Sequence, residues 1–357
     1  MNAANREPRM SNSTQPPQAY AVTPQGVITV PSFDLPLSRA LSPQASALQA
    51  QAYSNSGGLS MVNFDLLETE ETYKGAVDAF RAGIDEMFAK PLAVRLLAQF
   101  PVTIEASKIG NIPVDIFTPV GEFDPDHVLI NLHGGAFCSG ATYISQIESI
   151  PVAHLGQYRV VSIDYRQGYE HKFPAATEDV CAVYAELLKT YSAGRIGIYG
   201  GSAGGSLTLQ VIAWLLEHGI ELPGAIAVLG AGAGGNGDGD YFSAIGTAVP
   251  PPIDAFNLRG NRFGYFSEVG PESPLINPLL GGKGFLANYP PSLFITGTRA
   301  FDLSPAIATQ RALFQAGVDA QLHVFDGMGH CFYYDTALPE SLDAYDTLLR
   351  FFQKHMC

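Results

Sequence analysis

Strand-like and helix-like segments alternate along most of the chain after Pro101. Strands that alternate with helices form parallel βαβ units. Alternating or continuous apolar positions predict strands at Val102–Ser107, Ile112–Thr118, Val128–Leu132, Val160–Ile163, Ile196–Tyr199, Ala225–Leu229, Ser292–Ile295 and Gln321–Phe325. Helical spacing predicts helices at Tyr143–Leu155, Ala175–Thr190, Ala203–His218, Pro305–Ala316 and Leu338–His355. The pattern therefore predicts an α/β fold with a mostly parallel, doubly wound sheet.

Three segments fall outside this alternation. Residues 1–33 are rich in Asn, Gln, Pro, Ser and Thr, which predicts a flexible N-terminal arm because they cannot bury enough surface to offset ordering. Residues 34–100 show helical spacing at Leu35–Tyr53 and Glu71–Gln99, and residues 231–286 are rich in Gly and Pro. We interpret 34–100 and 231–286 as two parts of a cap. The core is then expected at 101–230 and 287–357.

Composition and charge exclude several classes of protein. Hydrophobic residues make up 46% of the 357 residues and charged residues 15%, which argues against a disordered chain. The net charge of −14 offers no attraction to nucleic acid or to an anionic membrane surface, so neither is expected as a partner. No apolar run is long enough to span a membrane, and the N-terminus lacks the apolar region of a signal peptide, so we expect a cytoplasmic protein. Four cysteines without a C-x-x-C pair predict neither a disulfide framework nor a zinc site.

The segment Gly200-Gly-Ser-Ala-Gly204 fits the pattern G-x-S-x-G. It follows a predicted strand directly and opens a predicted helix, as a nucleophile elbow does. Small flanking residues allow the sharp turn that exposes the serine hydroxyl, and the helix N-terminus adds partial positive charge. We therefore predict that Ser202 is a nucleophile; the alternative is a glycine-rich turn with an incidental serine.

A second glycine-rich turn, His133-Gly-Gly-Ala-Phe137, follows the strand that ends at Leu132. Unobstructed backbone N–H groups in such a loop can point at a carbonyl oxygen that becomes an oxyanion. The alternative is an ordinary tight turn. Ala136 stands where the lipase and esterase motif has its third glycine, which keeps the N–H but narrows the space.

A serine nucleophile needs a base and a carboxylate that orients this base. His330 lies between a predicted strand and the last helix, at the edge of the sheet where active sites of open α/β folds gather. Asp302 follows a strand at the same edge, and the order Ser202, Asp302, His330 is that of α/β hydrolases. Asp326 is the rival carboxylate, and His323 is expected to be packed within its strand.

These motifs resemble those of the hormone-sensitive-lipase-like branch of the α/β-hydrolase esterases. The most specific segment is Asp164-Tyr-Arg-Gln-Gly-Tyr-Glu-His-Lys-Phe-Pro-Ala-Ala-Thr-Glu-Asp179, which is similar to the family's DYRLAPEHPFPAALED. Ser273-Pro-Leu-Ile-Asn-Pro-Leu-Leu280 resembles the family segment before the acid-bearing strand. The resemblance runs from about Val102 to the C-terminus and implies an α/β-hydrolase fold with a helical cap.

The resemblance also implies a function and its site. It implies hydrolysis of carboxylic esters by Ser202, Asp302 and His330, without metal or cofactor, and it places the oxyanion donors at Gly134, Gly135, Ala136 and Ala203. We expect a serine carboxylesterase that acts on short-to-medium acyl esters, with a small-molecule ester as its partner. Two alternative functions stay open. The same triad could act on an amide, lactone or other specialised acyl substrate, or the protein could be a non-catalytic small-molecule receptor. Assembly into a homo-oligomer is also left open.

The chain departs from the family pattern at three places. Gly201 replaces the usual aspartate of the elbow, Gln167-Gly-Tyr169 replaces Leu-Ala-Pro, and Asp302-Leu-Ser-Pro305 lacks the second acid of D-P-L-R-D. A glycine string at 230–235 opens no helix, so a dinucleotide site is not expected there. The aromatic residues of the interruption are predicted either to line the substrate pocket or to pack within the cap; they are Phe242, Phe256, Phe263, Tyr265 and Phe266.

Overall fold

The computed structural model describes residues 21–22, 24, 28–29, 36–54, 68–234, 239–240, 263–270 and 272–357. Most of the predicted arm and much of the predicted cap insertion, with Phe242 and Phe256, lie outside these residues. The chain divides into one unit up to Pro36 and another from Leu37 to Cys357. The first unit contains a small antiparallel pair, β1 (Ala21–Val22) and β2 (Ile28–Thr29), so the predicted arm holds some regular structure. Val22 and Ile28 are β-branched, which suits extended backbone.

Eight strands form the sheet within the described part of the second unit. They are β3 (Val102–Ile109), β4 (Ile112–Pro119), β5 (Asp124–Leu132), β6 (Tyr158–Ile163), β7 (Ile196–Gly201), β8 (Ala225–Leu229), β9 (Ser292–Gly297) and β10 (Ala320–Phe325). Their order is β10-β9-β8-β7-β5-β6-β4-β3. Pairing is parallel from β10 to β6, whereas β4 is antiparallel to both β6 and β3. The predicted mostly parallel sheet is confirmed.

Helices cover both faces of this sheet, which explains why its central strands are continuous apolar runs. Every residue of β7 and β8 is buried. In β5, Ile130 packs with the core on one face and Leu129 with the core on the other. The helices are α4 (Tyr143–Gly156), α5 (Ala175–Leu187), α6 (Ala203–Glu217), α7 (Gly282–Leu286), α8 (Leu303–Ala316) and α9 (Pro339–His355), preceded by α1 (Pro43–Ser54), α2 (Glu70–Gly83) and α3 (Lys90–Gln99). Helices α4 and α9 lie on one face, with α5 and α6 on the other.

The helices before the sheet differ from their prediction in two ways. The first begins only at Pro43, a residue whose fixed φ suits the first helical position. The second predicted run, Glu71–Gln99, consists of α2, a π-helix at Ile84–Ala89 and α3. The wider π turn changes the angle between successive side chains, a change that apolar spacing alone does not reveal. Within this turn Phe88 stays 43% exposed.

The described aromatic residues of the interruption are packing residues. Tyr265 and Phe266 are buried, with their rings 5.3 and 4.9 Å from that of Phe137. The Tyr265 hydroxyl accepts a hydrogen bond from the Ala176 N–H at 2.7 Å. Phe263 packs against Tyr73 of α2, with a centroid separation of 6.1 Å. Of the two interpretations, packing therefore holds for these three residues: Tyr265 and Phe266 belong to the core of the sheet, and Phe263 packs against α2.

All four cysteines are free. Within the described ranges, none of the helices is both long and apolar enough to cross a membrane.

We predict that Gly204→Ala lowers the free energy of unfolding by at least about 3 kcal/mol. A Cβ at this position would overlap the carbonyl oxygen of Leu132 at the end of β5. Moving this backbone atom costs more free energy than moving the end of a flexible side chain. The matched control is Gly75→Ala in the exposed part of α2, where a Cβ meets nothing within 4 Å. It should stabilise the protein by about 0.5–1 kcal/mol. Urea unfolding of both variants measures the difference, and equal effects would contradict the prediction.

Candidate active site

Ser202 occupies a strained turn between a strand and a helix. Strand β7 ends at Gly201 and helix α6 begins at Ala203. Ser202 itself has a φ of +52° and a ψ of −119°, a conformation that costs free energy for a residue with a side chain. Its N–H donates to the Leu229 carbonyl at 2.8 Å, which holds the turn against β8. The hydroxyl is consequently presented above the carboxyl edge of the sheet.

The structure brings Ser202, His330 and Asp302 into one hydrogen-bonded chain. The His330 Nε2 lies 3.0 Å from the Ser202 Oγ, and its Nδ1 lies 2.7 Å from the Asp302 Oδ1. The other carboxylate oxygen of Asp302 accepts a hydrogen bond from the Thr296 hydroxyl at 2.5 Å. Strands β7, β9 and β10 bring these residues to the same edge of the sheet, so Ser202 meets two residues that lie 100 and 128 positions further along the chain.

Electrostatics favour a charged imidazole within this chain. Burial opposes the imidazolium, but the neighbouring Cys331 and the Asp302 carboxylate favour it, and the net effect raises the pKa of His330 above its ordinary value. Asp302 is fully buried. The Phe301 ring lies 4.2 Å from the His330 ring, measured between centroids, and packs beside it. His330 is thus held in place on two sides.

The rival residues make other contacts. Asp326 is exposed, and it accepts hydrogen bonds from the hydroxyls of Ser38 and Thr298 instead of binding His330. The expectation that His323 is packed is wrong, because the edge strand β10 leaves that side chain exposed.

The loop after β5 offers fewer oxyanion donors than predicted. The Gly134 N–H donates to the carboxylate Oε1 of Glu148 at 3.0 Å, so it is not available to substrate. The expectation for Gly134 therefore needs correction, because a buried acid that the motif does not reveal already uses this group. In the described part of the chain, no hydrogen bond engages the N–H groups of Gly135, Ala136 and Ala203. Gly135 and Ala136 both have positive φ, at +119° and +66°, and line the same cavity as Ser202.

His133 supports this loop in its neutral form. It is fully buried, and burial lowers its pKa to about 4. Its Nδ1–H donates to the Gly134 carbonyl at 2.7 Å, and its ring stacks on Tyr165 at 4.3 Å between centroids. The Tyr165 hydroxyl in turn donates to the His133 carbonyl at 2.6 Å. The Asp164–Asp179 motif therefore contributes to the shape of this loop between β5 and α4, which is called the oxyanion loop below.

Arg81 is a residue that sequence reasoning missed. From helix α2 its Nε donates to the Cys138 carbonyl at 2.5 Å, and its two Nη atoms bind Glu170 at 2.6 and 2.9 Å. Arg81 connects helix α2 to the loop after β5 and to the Asp164–Asp179 motif. Gly168, with a φ of +79°, leaves room for this pair, because a Cβ there would collide with both side chains. The one signal in the sequence was Glu170, an acidic residue of the motif that needs a cationic partner.

A cavity of about 710 Å³ opens above Ser202. Its floor is formed by Gly135, Ala136, Ser202 and His330. Its walls come from the N-terminal helices, from the start of helix α4 and from the segment after β10. Most of the wall residues are apolar: Ala45, Leu48, Phe80, Ile84, Met87, Phe88, Pro91, Leu92, Ile144, Met328, Phe332 and Leu338. An ion pair between Arg95 and Asp335, 2.5 Å apart, lies in the same lining. This arrangement suits an uncharged ligand with an apolar group.

Across the described residues, no group of three or more His, Cys, Asp or Glu side chains is arranged to hold a metal ion.

Comparison with known proteins agrees with this geometry. A model of the α/β hydrolase fold family matches residues 129–334, which include Ser202, Asp302 and His330. The chain belongs to the α/β hydrolase fold family.

Solved structures refine this assignment. An esterase named E25 superposes with a TM-score of 0.79 at 30% identity, over 92% of this chain and 99% of its own. An esterase from the bacterial hormone-sensitive lipase family superposes with a TM-score of 0.70 at 25% identity, over 88% and 99% of the two chains. This α/β hydrolase is therefore of the hormone-sensitive-lipase type, as its motifs predicted.

Two proteins of known activity are also similar in sequence. The versiconal hemiacetal acetate esterase of Dothistroma septosporum is 26% identical over 77% of this chain and 86% of its own length. An acetyl-hydrolase of Streptomyces hygroscopicus is 28% identical over 59% of this chain and 70% of its own. The hydrolase described here is a carboxylic ester hydrolase.

Proposed function

We propose that this hydrolase cleaves short-to-medium acyl esters through a Ser202–His330–Asp302 triad and an acyl-enzyme. The hydrogen-bonded chain from Ser202 Oγ through His330 to Asp302 is the observation that carries the proposal. The Ser202 Oγ attacks the ester carbonyl while His330 Nε2 takes the proton of the Ser202 hydroxyl. The same proton then passes to the leaving alcohol as the C–O bond breaks. Water repeats the sequence on the acyl-enzyme and releases the acid.

Backbone dipoles would stabilise the tetrahedral intermediates. We assign the oxyanion to the N–H groups of Gly135, Ala136 and Ala203, which have no other partner within the described residues. Ala203 is also the first residue of helix α6, whose N-terminus carries partial positive charge. Removing one such donor from a serine hydrolase typically costs about 10²–10³ in kcat.

The cavity favours esters with an apolar acyl or alcohol group of limited length. Its walls are apolar and its volume of about 710 Å³ is finite. Each methylene buried there contributes about 0.8 kcal/mol, until further carbons must displace packed side chains. Two of the similar proteins are named for acetyl or acetate groups, which supports a small acyl group for this chain too.

Ser202→Ala should lower kcat by at least about 10³-fold while the fold is retained, because no acyl intermediate can form. Ser206→Ala is the matched control, one turn further along helix α6, and should keep its activity. The same pair tests covalent labelling by a fluorophosphonate, which should modify wild type and Ser206→Ala but not Ser202→Ala. Absence of labelling and of ester turnover in the wild type would favour a non-catalytic receptor.

Asp302→Asn should lower kcat by about 10⁴-fold, whereas Asp326→Asn should have little effect. The neutral imidazole is the base, so kcat/KM should fall as the pH drops through the raised pKa of His330, with a midpoint above the ordinary value of about 6.5. In Asp302→Asn burial still opposes the imidazolium but the carboxylate is gone, so the midpoint should move to lower pH. A pH–rate profile of each variant measures both effects. Equal losses for the two variants, or an unshifted midpoint, would argue against this choice of carboxylate.

For p-nitrophenyl esters from two to sixteen carbons, kcat/KM should rise over the first few carbons and then fall. Phe88→Ala should move the maximum to longer chains, because this half-exposed ring lines the cavity. Phe314→Ala is the control, since Phe314 is 66% exposed on α8 and is not part of the lining. A wild-type maximum at twelve carbons or more, or strong activation by emulsions, would instead indicate a lipase with an opening lid.

A further inference from the structure

Glu148 is a buried acid beside the proposed oxyanion hole. It lies on helix α4, and its side chain is buried. Four donors surround its carboxylate. Oε1 accepts from the Gly134 N–H at 3.0 Å and from the Tyr334 hydroxyl at 2.6 Å. Oε2 accepts from the Asn131 amide at 2.9 Å and from the Gly201 N–H at 3.3 Å.

These partners use the full accepting capacity of the carboxylate. An ionised carboxylate has about four lone-pair sites, two on each oxygen, and each oxygen here receives two donors. All four donors are neutral, so Glu148 is not half of an ion pair. A buried acid held by neutral donors is costly to keep, which calls for a role beyond stability.

Two of the four donors belong to the two backbone segments that carry the oxyanion donors. Gly134 directly precedes Gly135 and Ala136, and Gly201 lies two residues before Ala203. One carboxylate therefore joins the loop after β5 to the nucleophile elbow after β7. We propose that Glu148 is a positioning residue that sets the spacing between the two halves of the oxyanion hole. The inference rests on the proposed function, because it concerns the same hole.

Gly201 makes this arrangement possible. A Cβ at position 201 would fall next to Oε1 of Glu148, at about the separation that joins Cβ to a carboxylate oxygen within an aspartate. It would also lie 2.7 Å from the Tyr333 hydroxyl. A side chain at 201 and the carboxylate of Glu148 therefore cannot share the space. In this chain the carboxylate therefore comes from α4, and an aspartate at the elbow would have to occupy the same space.

The first test is Glu148→Gln, which keeps the shape but replaces one oxygen by an NH₂ group. Either the Gly134 N–H or the Gly201 N–H then faces a donor, so one half of the hole loses its support. We expect kcat to fall on the order of 10²-fold, the loss that a displacement of about 1 Å produces, with KM nearly unchanged. The affinity of a trifluoromethyl ketone, whose adduct with Ser202 carries an oxyanion, should fall by a similar factor. Ser292→Ala removes a buried hydrogen bond to the Pro290 carbonyl at the start of β9, the end of the strand that lies away from the site, and should lower stability without lowering kcat.

The second test is a rescue. Gly201→Asp alone should lose activity, because two carboxylates compete for one space, and Glu148→Ala alone should lose it because both N–H groups are left without an acceptor. The double variant Gly201→Asp/Glu148→Ala should recover at least tenfold in kcat over either single variant. A role in stability alone predicts additive losses, so a double variant no better than the worse single one would overturn the proposal.

The outcomes separate this inference from the proposed function. If Ser202→Ala abolishes turnover while Glu148→Gln keeps wild-type kcat and ketone affinity, the role of Glu148 is wrong and the triad stands. If Ser202→Ala keeps full turnover, the proposed function fails and the role of Glu148 fails with it. If kcat and the ketone affinity fall together in Glu148→Gln and the double variant recovers, the inference is supported.

Discussion

The contact on which the site depends is the close approach of helix α6 to the end of strand β5. Gly204 lies so near the Leu132 carbonyl that any side chain would overlap it, and Gly200 approaches both Gly204 and the same carbonyl. Because the oxyanion loop begins at the very next residue, His133, this approach places the loop beside Ser202. The positive φ of Ser202 follows from the same geometry, since the chain must reverse within one residue between β7 and α6. Strain at Ser202 is thus a consequence of packing the helix onto the sheet.

Two buried carboxylates, Asp302 and Glu148, act on the site in different ways. Asp302 faces His330, where a positive charge would develop in the proposed reaction, and its negative charge favours that state. Glu148 faces only N–H and O–H donors of backbone and neutral side chains, so it fixes positions without compensating a cation. The pKa of the Glu148 carboxyl is raised above its ordinary value, because the effect of burial exceeds that of the four hydrogen bonds that lower it. The two acids differ in partner, and their roles differ accordingly.

The parts of the fold that follow from local pattern were predictable, and the parts that depend on three-dimensional contact were not. The strands could be located because each is an alternating or continuous apolar run between turns. Ser202, Asp302 and His330 could be named because parallel strands bring their following loops to one edge. Glu148 was not singled out, because acidic residues of helices are mostly exposed, although it lies four residues after Ile144 and four before Val152 on a buried face of α4. The use of the Gly134 N–H was hidden for the same reason. The role of Arg81 depends on a contact with a residue more than 50 positions away. The π turn before Lys90 depends on a single extra residue per turn.

Ala136 shows how a departure from the glycine pattern can connect the cap to the site. Its φ of +66° costs free energy that a glycine would avoid. The loop nevertheless holds this conformation, since Gly135 accepts the N–H groups of Cys138 and Ser139, and Phe137 accepts the N–H of Gly168. The methyl group that causes the strain packs against the cluster formed by Tyr73, Val77 and Phe80 of helix α2. The strained residue therefore gives helix α2 an apolar contact on the loop that Arg81 also binds, so cap and oxyanion loop are joined by one apolar and one charged contact.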